Sequence, residues 1–268
     1  MRYLCGILRR MSARPDTLFI QSLAKGMKVL ECFAEHPAPL SLNEIAEFCE
    51  MDRSAAQRMT YTLVTLGYLE RGVSGRGFMP GKKILERTFD YLRSVPLLER
   101  ATPLIVDVQR ESGERVELSL FDDLTIIFAL RRQTKRQTYT TTLIGRRLAT
   151  VHTASGRAIM SHLPAEEVDS ILARSQSKPL TTRTITDADR IRALVAQAAA
   201  DGYAVASEES MLGEINLASA VLDHEGRPIA AIDISGSLAD WDAEAFAKRF
   251  APMLMGATKA LSGKAGLS

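Results

Sequence analysis

Residues 40–70 read LSLNEIAEFCEMDRSAAQRMTYTLVTLGYLE, and residues 71–83 continue RGVSGRGFMPGKK. Ser41 followed three residues later by Glu44 is a capping box, which predicts a helix start at that point. Its buried side is Leu42, Ile45, Ala46 and Cys49 or Phe48. Asp52 is placed to cap a third helix from Arg53 to about Thr65, with Ala55 or Ala56, Met59, Leu63 and Leu66 inward. Arg53, Ser54, Gln57, Arg58 and Tyr61 then face outward or flank that stripe. Gly67 to Leu69 ends the helix and begins a strand, Arg71 to Gly77 turns, and Phe78–Met79 returns. Two helices across a tight turn, then a Gly- and Arg-rich hairpin, predict a winged helix-turn-helix.

The exposed residues suit double-stranded DNA as partner. Arginine binds guanine bidentately and glutamine binds adenine, while serine and tyrosine more often hold phosphate. The N-terminal half of such a helix enters the major groove, where the small residues Ser54, Ala55 and Ala56 permit close approach. Arg71, Arg76, Lys82 and Lys83 are expected at backbone phosphates or the minor groove. The alternative is a three-helix domain with a solvated hairpin and no ligand. GRGFMPG is not a phosphate loop, because it lacks the strand-before, helix-after setting and any GK[ST].

A chain of 268 residues allows two domains. The net charge of +2 argues little, but residues 1–83 hold 12 Lys/Arg against 8 Asp/Glu, and residues 84–268 hold 22 against 24. A basic front and a mildly acidic back fit DNA binding at one end. Cys5, Cys32 and Cys49 match no zinc spacing and read as reduced thiols of a cytosolic protein. No apolar run approaches the roughly 18 residues of a membrane span. Residues 1–18 read as a loose tail, with Met11 an alternative start. Residues 22–34 form a first helix with Leu23, Met27, Leu30 and Phe33 on one face. The winged-helix domain thus spans 19–83, a linker helix 84–97, and a second domain 98–262.

In the second domain a helix from Leu98 to Glu111 is interrupted early by Pro103. Period-two patterns give strands at 116–121 and 124–130 around a turn at Asp122–Asp123; Tyr139 to Leu148 is ambiguous. Helices follow at 155–163 and 165–174, then one capped by Thr186 and Asp189 with Ile191, Leu194, Val195 and Ala198 inward, ended by Gly202. Strands at 216–223 and 228–236 and a helix over 241–262 complete an α+β domain with a mostly antiparallel sheet.

The segments SLAKGMKVLECF, the 40–69 stretch, HTASGRAIMSHLP, TTRTITDADRI, DGYAVASEES and AVLDHEGRPIAAIDISG together resemble the IclR family of bacterial transcriptional regulators over about residues 19–260. FIQSLAKGMKVLECF is close to the branch controlling catabolism of aromatic acids such as protocatechuate and 4-hydroxybenzoate. The resemblance implies a C-terminal effector domain of GAF-like shape that binds a small organic acid, homodimers or homotetramers on palindromic operators, and for some members contact with RNA polymerase. It implies no cofactor.

Carried over, the effector pocket begins at Ala154 and Ser155, has its far wall near Ala206, and includes Asn216, Asp233 and Ser235. Two of these depart from small-acid members, which have an acid at the position of Ala206 and a serine at that of Asp233. An ionised Asp233 beside a bound carboxylate costs several kcal/mol unless paired or protonated. It can instead accept from a ligand hydroxyl or amine, pair with an arginine (Arg131, Arg132, Arg146 or Arg147), or point away. Equally, Asn216 and Ser235 can face water, Ser155 can merely cap its helix, and Glu208 and Glu209 read as loop-setting. A Ser-His-Asp enzyme using His152 and Ser155 finds no G-x-S-x-G or H-E-x-x-H support, nor is there a Cys/His metal cluster. The remaining alternative is a constitutive DNA-binding protein whose second domain only assembles oligomers.

Overall fold

A computed structural model describes residues 18–72, 75–134, 144–176 and 178–263. Residues 1–17 of the N-terminal tail, with Cys5 and Met11, therefore lie outside the described residues, as do residues 139–143 of the ambiguous 139–148 segment. The chain divides into two compact units, residues 1–89 and 90–268.

The first unit contains α1 (Gln21–Glu31, continued by a 3-10 turn Cys32–Glu35), α2 (Leu42–Phe48), α3 (Arg53–Thr65), β1 (Leu69–Arg71) and β2 (Phe78–Pro80). The capping box forms: Glu44 N–H donates to Ser41 Oγ at 3.3 Å, and Ser41 N–H donates to Glu44 Oε2 at 2.7 Å. Asp52 Oδ1 accepts from Ala55 N–H at 2.8 Å and starts α3. The strands pair antiparallel, and Leu40 bridges to Phe78. Val29, Phe33, Ile45, Ala56, Leu63, Leu69 and Phe78 close the core.

The predicted stripes need two corrections. Leu23 and Met27 are exposed, because α1 turns Gly26, Val29 and Phe33 inward, and the position a Cβ would take at Gly26 lies 3.9 Å from Met59 Sδ. Leu66 is half exposed past the end of α3, and Thr60 occupies the inward position instead.

Helix α4 (Lys83–Ser94) contains the boundary between the units. The second unit continues with α5 (Pro96–Ser112), β3 (Arg115–Asp122), β4 (Thr125–Arg132), β5 (Arg147–Ala149), a 3-10 turn Thr150–His152, α6 (Ala154–Met160), α7 (Ala165–Arg174), α8 (Ala188–Asp201), β6 (Ala204–Ser207), β7 (Glu214–Leu222), β8 (Pro228–Ser237) and α9 (Ala243–Leu261). The six strands form one antiparallel sheet ordered β5-β4-β3-β8-β7-β6.

Here too the structure moves several expected features. Pro103 lies inside α5 and does not interrupt it; Pro96 opens that helix, where a missing N–H costs nothing. The β3–β4 turn falls on Asp123 and Leu124, with Asp123 at φ +54°. Asp187 caps α8 through Arg190 N–H at 2.7 Å, in place of Thr186 and Asp189. Strand β6, not anticipated, precedes β7 and forms the sheet edge.

The sheet has two different faces. Val116, Leu118 and Leu120 of β3, Ile215 and Leu217 of β7, and Ile232 and Ile234 of β8 point into a core shared with α5 and α9, led by Ile105, Phe246, Phe250 and Leu254. Because side chains alternate along a strand, Arg115, Glu117, Glu214, Asn216, Asp233 and Ser235 occupy the other face. Helix α6 packs on β7 and β8. It is set down closely: a Cβ at Gly156 would stand 1.9 Å from the carbonyl oxygen of Thr150. Ala154, Ala158, Ala198, Ala204, Ala206 and Ala218 form a buried cluster made of methyl groups alone.

Candidate functional site

The polar face of the sheet lines a cleft of about 560 Å³, part of it open to solvent, together with Ile126, Phe128, Leu148, Thr153, Ala154 and Ser155. Strand register sets its chemistry. On neighbouring strands, Glu117 stands opposite both Arg131 and Asp233, Arg115 opposite Ser235, and Asn216 opposite Ser235.

Arg115 donates to both oxygens of Glu214, at 2.7 and 2.8 Å, and through Nε to Glu117 Oε2 at 3.3 Å. Burial works against this guanidinium, but Glu214, Glu117 and Asp233 outweigh it and hold its proton more tightly than usual. Arg131 Nη1 lies 2.9 Å from Glu117 Oε1, off the line of a hydrogen bond. Burial pushes the pKa of Arg131 down, as does the nearby Arg115, while Glu117 opposes this.

Asp233 is the acid without a cation of its own in hydrogen-bond contact. Ser155 Oγ donates to its Oδ1 at 3.1 Å and Ser235 Oγ to its Oδ2 at 3.2 Å. Asn216 Nδ2 donates in turn to Ser235 Oγ at 2.7 Å. Burial, then the charge of Glu117, raises Asp233 to about 8, against the opposing pull of Arg115 and the two hydroxyls. At neutral pH the carboxyl is therefore mostly neutral. Of the alternatives open from sequence, the structure turns Asp233 into the cleft on two serine hydroxyls, and burial beside Glu117 favours its protonated form.

The residues singled out from sequence divide accordingly. Ala154, Ser155, Asn216 and Asp233 line the cleft, and Ser235 is tied into it. Ala206 is buried in the alanine cluster and is not among the lining residues. Thr153, not Ser155, caps α6, accepting from Gly156 N–H at 3.0 Å. Of the four arginines considered, Arg131 and Arg146 line the cleft; Arg147 instead pairs with Asp122 and Thr125, and Arg132 is exposed. Glu209 binds Arg157, and Glu208 accepts from Gly213 N–H at 3.1 Å, so both do set their loop. Sequence reasoning missed Arg115, Glu117 and Glu214. Their alternation with apolar neighbours was the available signal.

In the first unit, Arg53, Ser54, Gln57 and Arg58 lie exposed along α3, and Tyr61 is 73% exposed. Arg76 is exposed in the hairpin. Arg71 stacks its guanidinium 4.2 Å from the Phe78 ring centroid, which braces the hairpin. Lys82 is exposed, 3.8 Å from Glu70 Oε2. Lys83 Nζ donates at 3.0 Å to the Leu66 carbonyl at the end of α3 and lies over Tyr68. Its ammonium therefore caps that helix. Among the described residues no cluster of His, Cys, Asp and Glu fit to hold a metal occurs, and no helix is long and apolar enough to cross a membrane.

Comparison with known proteins places these features. Residues 22–72 match the description "IclR helix-turn-helix domain" and residues 89–263 match "Bacterial transcriptional regulator IclR C-terminal". The chain is 28% identical over 247 residues to the Pca regulon regulatory protein of Pseudomonas putida, covering 92% of this chain and 84% of that one. It is 28% identical to the transcriptional repressor IclR of Escherichia coli (strain K12), covering 84% and 82%. The crystal structure of a putative transcriptional regulator from Rhodococcus sp. RHA1 superimposes with a TM-score of 0.77 at 29% identity, covering 91% of this chain and 97% of that one.

Proposed function

Because the chain belongs to the IclR family of bacterial transcriptional regulators, whose members are DNA-binding proteins and not enzymes, we propose that it senses a small organic acid in the cleft above β3, β4, β7 and β8 and changes its operator affinity in response. The observation that carries this reading is a cleft lined by Arg131, ion-paired with Glu117 at 2.9 Å, and by the amide of Asn216, where Arg131 Nε and Asn216 Oδ1 are buried with no hydrogen-bond partner. Such atoms cost stability unless something completes them. The antiparallel sheet with helices on both faces supports a GAF-like effector domain. An aromatic acid is the preferred class, supported by the FIQSLAKGMKVLECF segment and by the likeness to the Pca regulon regulatory protein.

DNA is bound by the exposed row Arg53, Ser54, Gln57, Arg58 and Tyr61, with Arg76 and Lys82 on phosphates. The protein works in the cytoplasm as a homodimer or homotetramer. Ile20 just before α1, Leu23 and Met27 on α1, and Leu85, Phe89 and Tyr91 on α4 are exposed apolar side chains that support such pairing. Two recognition helices must then sit about 34 Å apart or a multiple of it, so a small change in subunit geometry alters DNA affinity, or contact with RNA polymerase. Helix α4, continuous across the boundary between units, is the route of coupling.

Titrating operator-bound protein with a panel of aromatic and aliphatic acids tests the reading. A heat of binding with a matching change in operator affinity is expected. Neither response across the panel would instead make the second unit an assembly domain.

A further inference from the structure

The first unit brings two thiols together that DNA binding does not use. Cys32, in the 3-10 turn that continues α1, is free and half-buried; Cys49, which ends α2, is free and 3% exposed. Cys32 Sγ donates to the Val29 carbonyl at 3.1 Å and Cys49 Sγ to the Lys28 carbonyl at 3.6 Å, so the sulfurs sit on consecutive carbonyls of α1. They also meet each other. A hydrogen bond from the Cys32 thiol is the largest influence on Cys49 and pulls its pKa down; burial opposes this, Lys28 reinforces it, and Glu31 and Glu50 oppose it. The same contact pushes Cys32 up. Cys49 is therefore the thiol that ionises first, with a protonated thiol beside it.

Single core cysteines commonly serve as small apolar side chains, and both of these pack in the first unit's core. A thiolate with a second thiol next to it is different, because that is the arrangement a peroxide converts to a disulfide. Position gives the conversion a consequence. Cys49 opens the turn between α2 and α3, and Asp52, three residues on, starts α3. The turn has little slack, since Glu50 already holds φ +53°, which side-chain-bearing residues rarely adopt. A disulfide holds its sulfurs far closer than a hydrogen bond does, so forming one draws this turn toward the end of α1. Helix α3, with its exposed row of Arg53, Gln57 and Arg58, is displaced with it.

We propose that Cys32 and Cys49 are a peroxide-sensitive dithiol whose oxidation to a disulfide lowers DNA affinity. The switch stands apart from the acid-sensing reading and uses only the DNA-binding unit. Because Cys49 is nearly covered, the oxidant is a small hydroperoxide and not a bulky disulfide. The Cys49 thiolate attacks one peroxide oxygen: an S–O bond forms, the O–O bond breaks, and the leaving hydroxide takes up a proton as water. The Cys32 sulfur then attacks the Cys49 sulfenic acid: the S–S bond forms, the S–O bond breaks, and the departing hydroxide leaves as water with the Cys32 proton. Two electrons pass from the sulfurs to the peroxide. A thiol reductant reverses the bond by exchange.

Hydrogen peroxide applied to the full chain carrying Cys5→Ser, which leaves Cys32 and Cys49 as its cysteines, tests the proposal. Cleavage after glutamate parts the two at Glu35 and Glu44, so fragments joined through sulfur identify the bond. Joined fragments that dithiothreitol releases are expected. A duplex selected from a random pool by the reduced protein should bind about tenfold more weakly after peroxide and recover on reduction. Cys32→Ser should bind that duplex as the reduced protein does and ignore peroxide. Recovery with dithiothreitol is the control that needs no substitution, should either serine variant fail to fold. Thiols that both remain open to alkylation, sulfinic acid without the joined fragments, or a disulfide that leaves DNA affinity unchanged overturns the inference. So does an equal loss of affinity in peroxide-treated Cys32→Ser, which would assign the effect to something other than the bond.

Discussion

Arg157 of α6 and Glu209 of the loop after β6 are joined by two hydrogen bonds of 2.6 Å each, and both side chains are almost wholly out of solvent. Glu209 Oε2 also accepts from Ile185 N–H at 3.1 Å, and the hydroxyls of Thr181 and Thr184 donate to the carbonyls of Glu208 and Glu209. The pair thus fastens the helix that carries Ser155 to the segment leading into α8. Removing one partner strands a charge. Glu209→Ala should destabilise the protein by about 3–5 kcal/mol in urea unfolding, whereas the double change Arg157→Met, Glu209→Leu should recover most of that. A loss under about 1 kcal/mol for the single change would mean that the pair is not what fastens the helix.

Asp233 predicts a pH dependence of stability. Its folded pKa of about 8 lies above the unfolded value of 3.8, so its contribution is complete below about pH 4 and is lost as pH rises through 8. Asp233→Asn removes that loss. Its stability relative to the unaltered protein should climb between pH 4 and 8 by an amount on the order of a few kcal/mol, then level off. Thermal melts of both proteins at five pH values check this; a difference independent of pH would show Asp233 ionised throughout.

The basic residues of the first unit should separate by salt dependence. Arg58→Ala should weaken operator binding by about 1–3 kcal/mol at fixed salt with loss of sequence preference. Lys82→Ala should weaken specific and non-specific binding alike and lower the slope of log affinity against log salt by about 1. Lys83→Met should leave that slope unchanged and cost about 1 kcal/mol of folding stability, because its ammonium closes the end of α3. An altered slope for Lys83→Met would return this lysine to the phosphate contacts.

Gly156 makes a steric prediction. Alanine there has good helix propensity, yet its Cβ would stand 1.9 Å from the Thr150 carbonyl oxygen. Gly156→Ala should cost about 1–3 kcal/mol in denaturant unfolding and weaken acid binding by displacing Ser155. Unchanged stability would mean that the 3-10 turn yields freely.

The first unit was legible because its signals are local. The capping box at Ser41 and Glu44, the cap at Asp52 and the turn glycines each act within a few residues, and each forms as expected. The second unit's site depends on what covers the sheet. In VELSLF the alternation was plain, but its polar side naturally reads as solvent-facing, so Glu117 drew no notice. The placement of α6 and the Ser210–Met211 loop over that face buries it, and no local pattern encodes this. Strand β6 escaped for another reason: AVAS is four small residues with one β-branched side chain, and it gains strand character from pairing with β7. Asp233 stood out as a departure from small-acid relatives, but its raised pKa comes from burial and then from Glu117 beside it, and both depend on the fold.

The alanine cluster beneath α6 works as a shim. Ala218 stands opposite Asp233 on the next strand, and Ala154 adjoins Ser155, so the thickness of this methyl layer sets the gap that the Ser155–Asp233 hydrogen bond spans. A methylene added at Ala206 or Ala218 would lift one side of the cleft without touching anything inside it. Ligand preference can therefore be retuned from Ala206 or Ala218, neither of which lines the cleft.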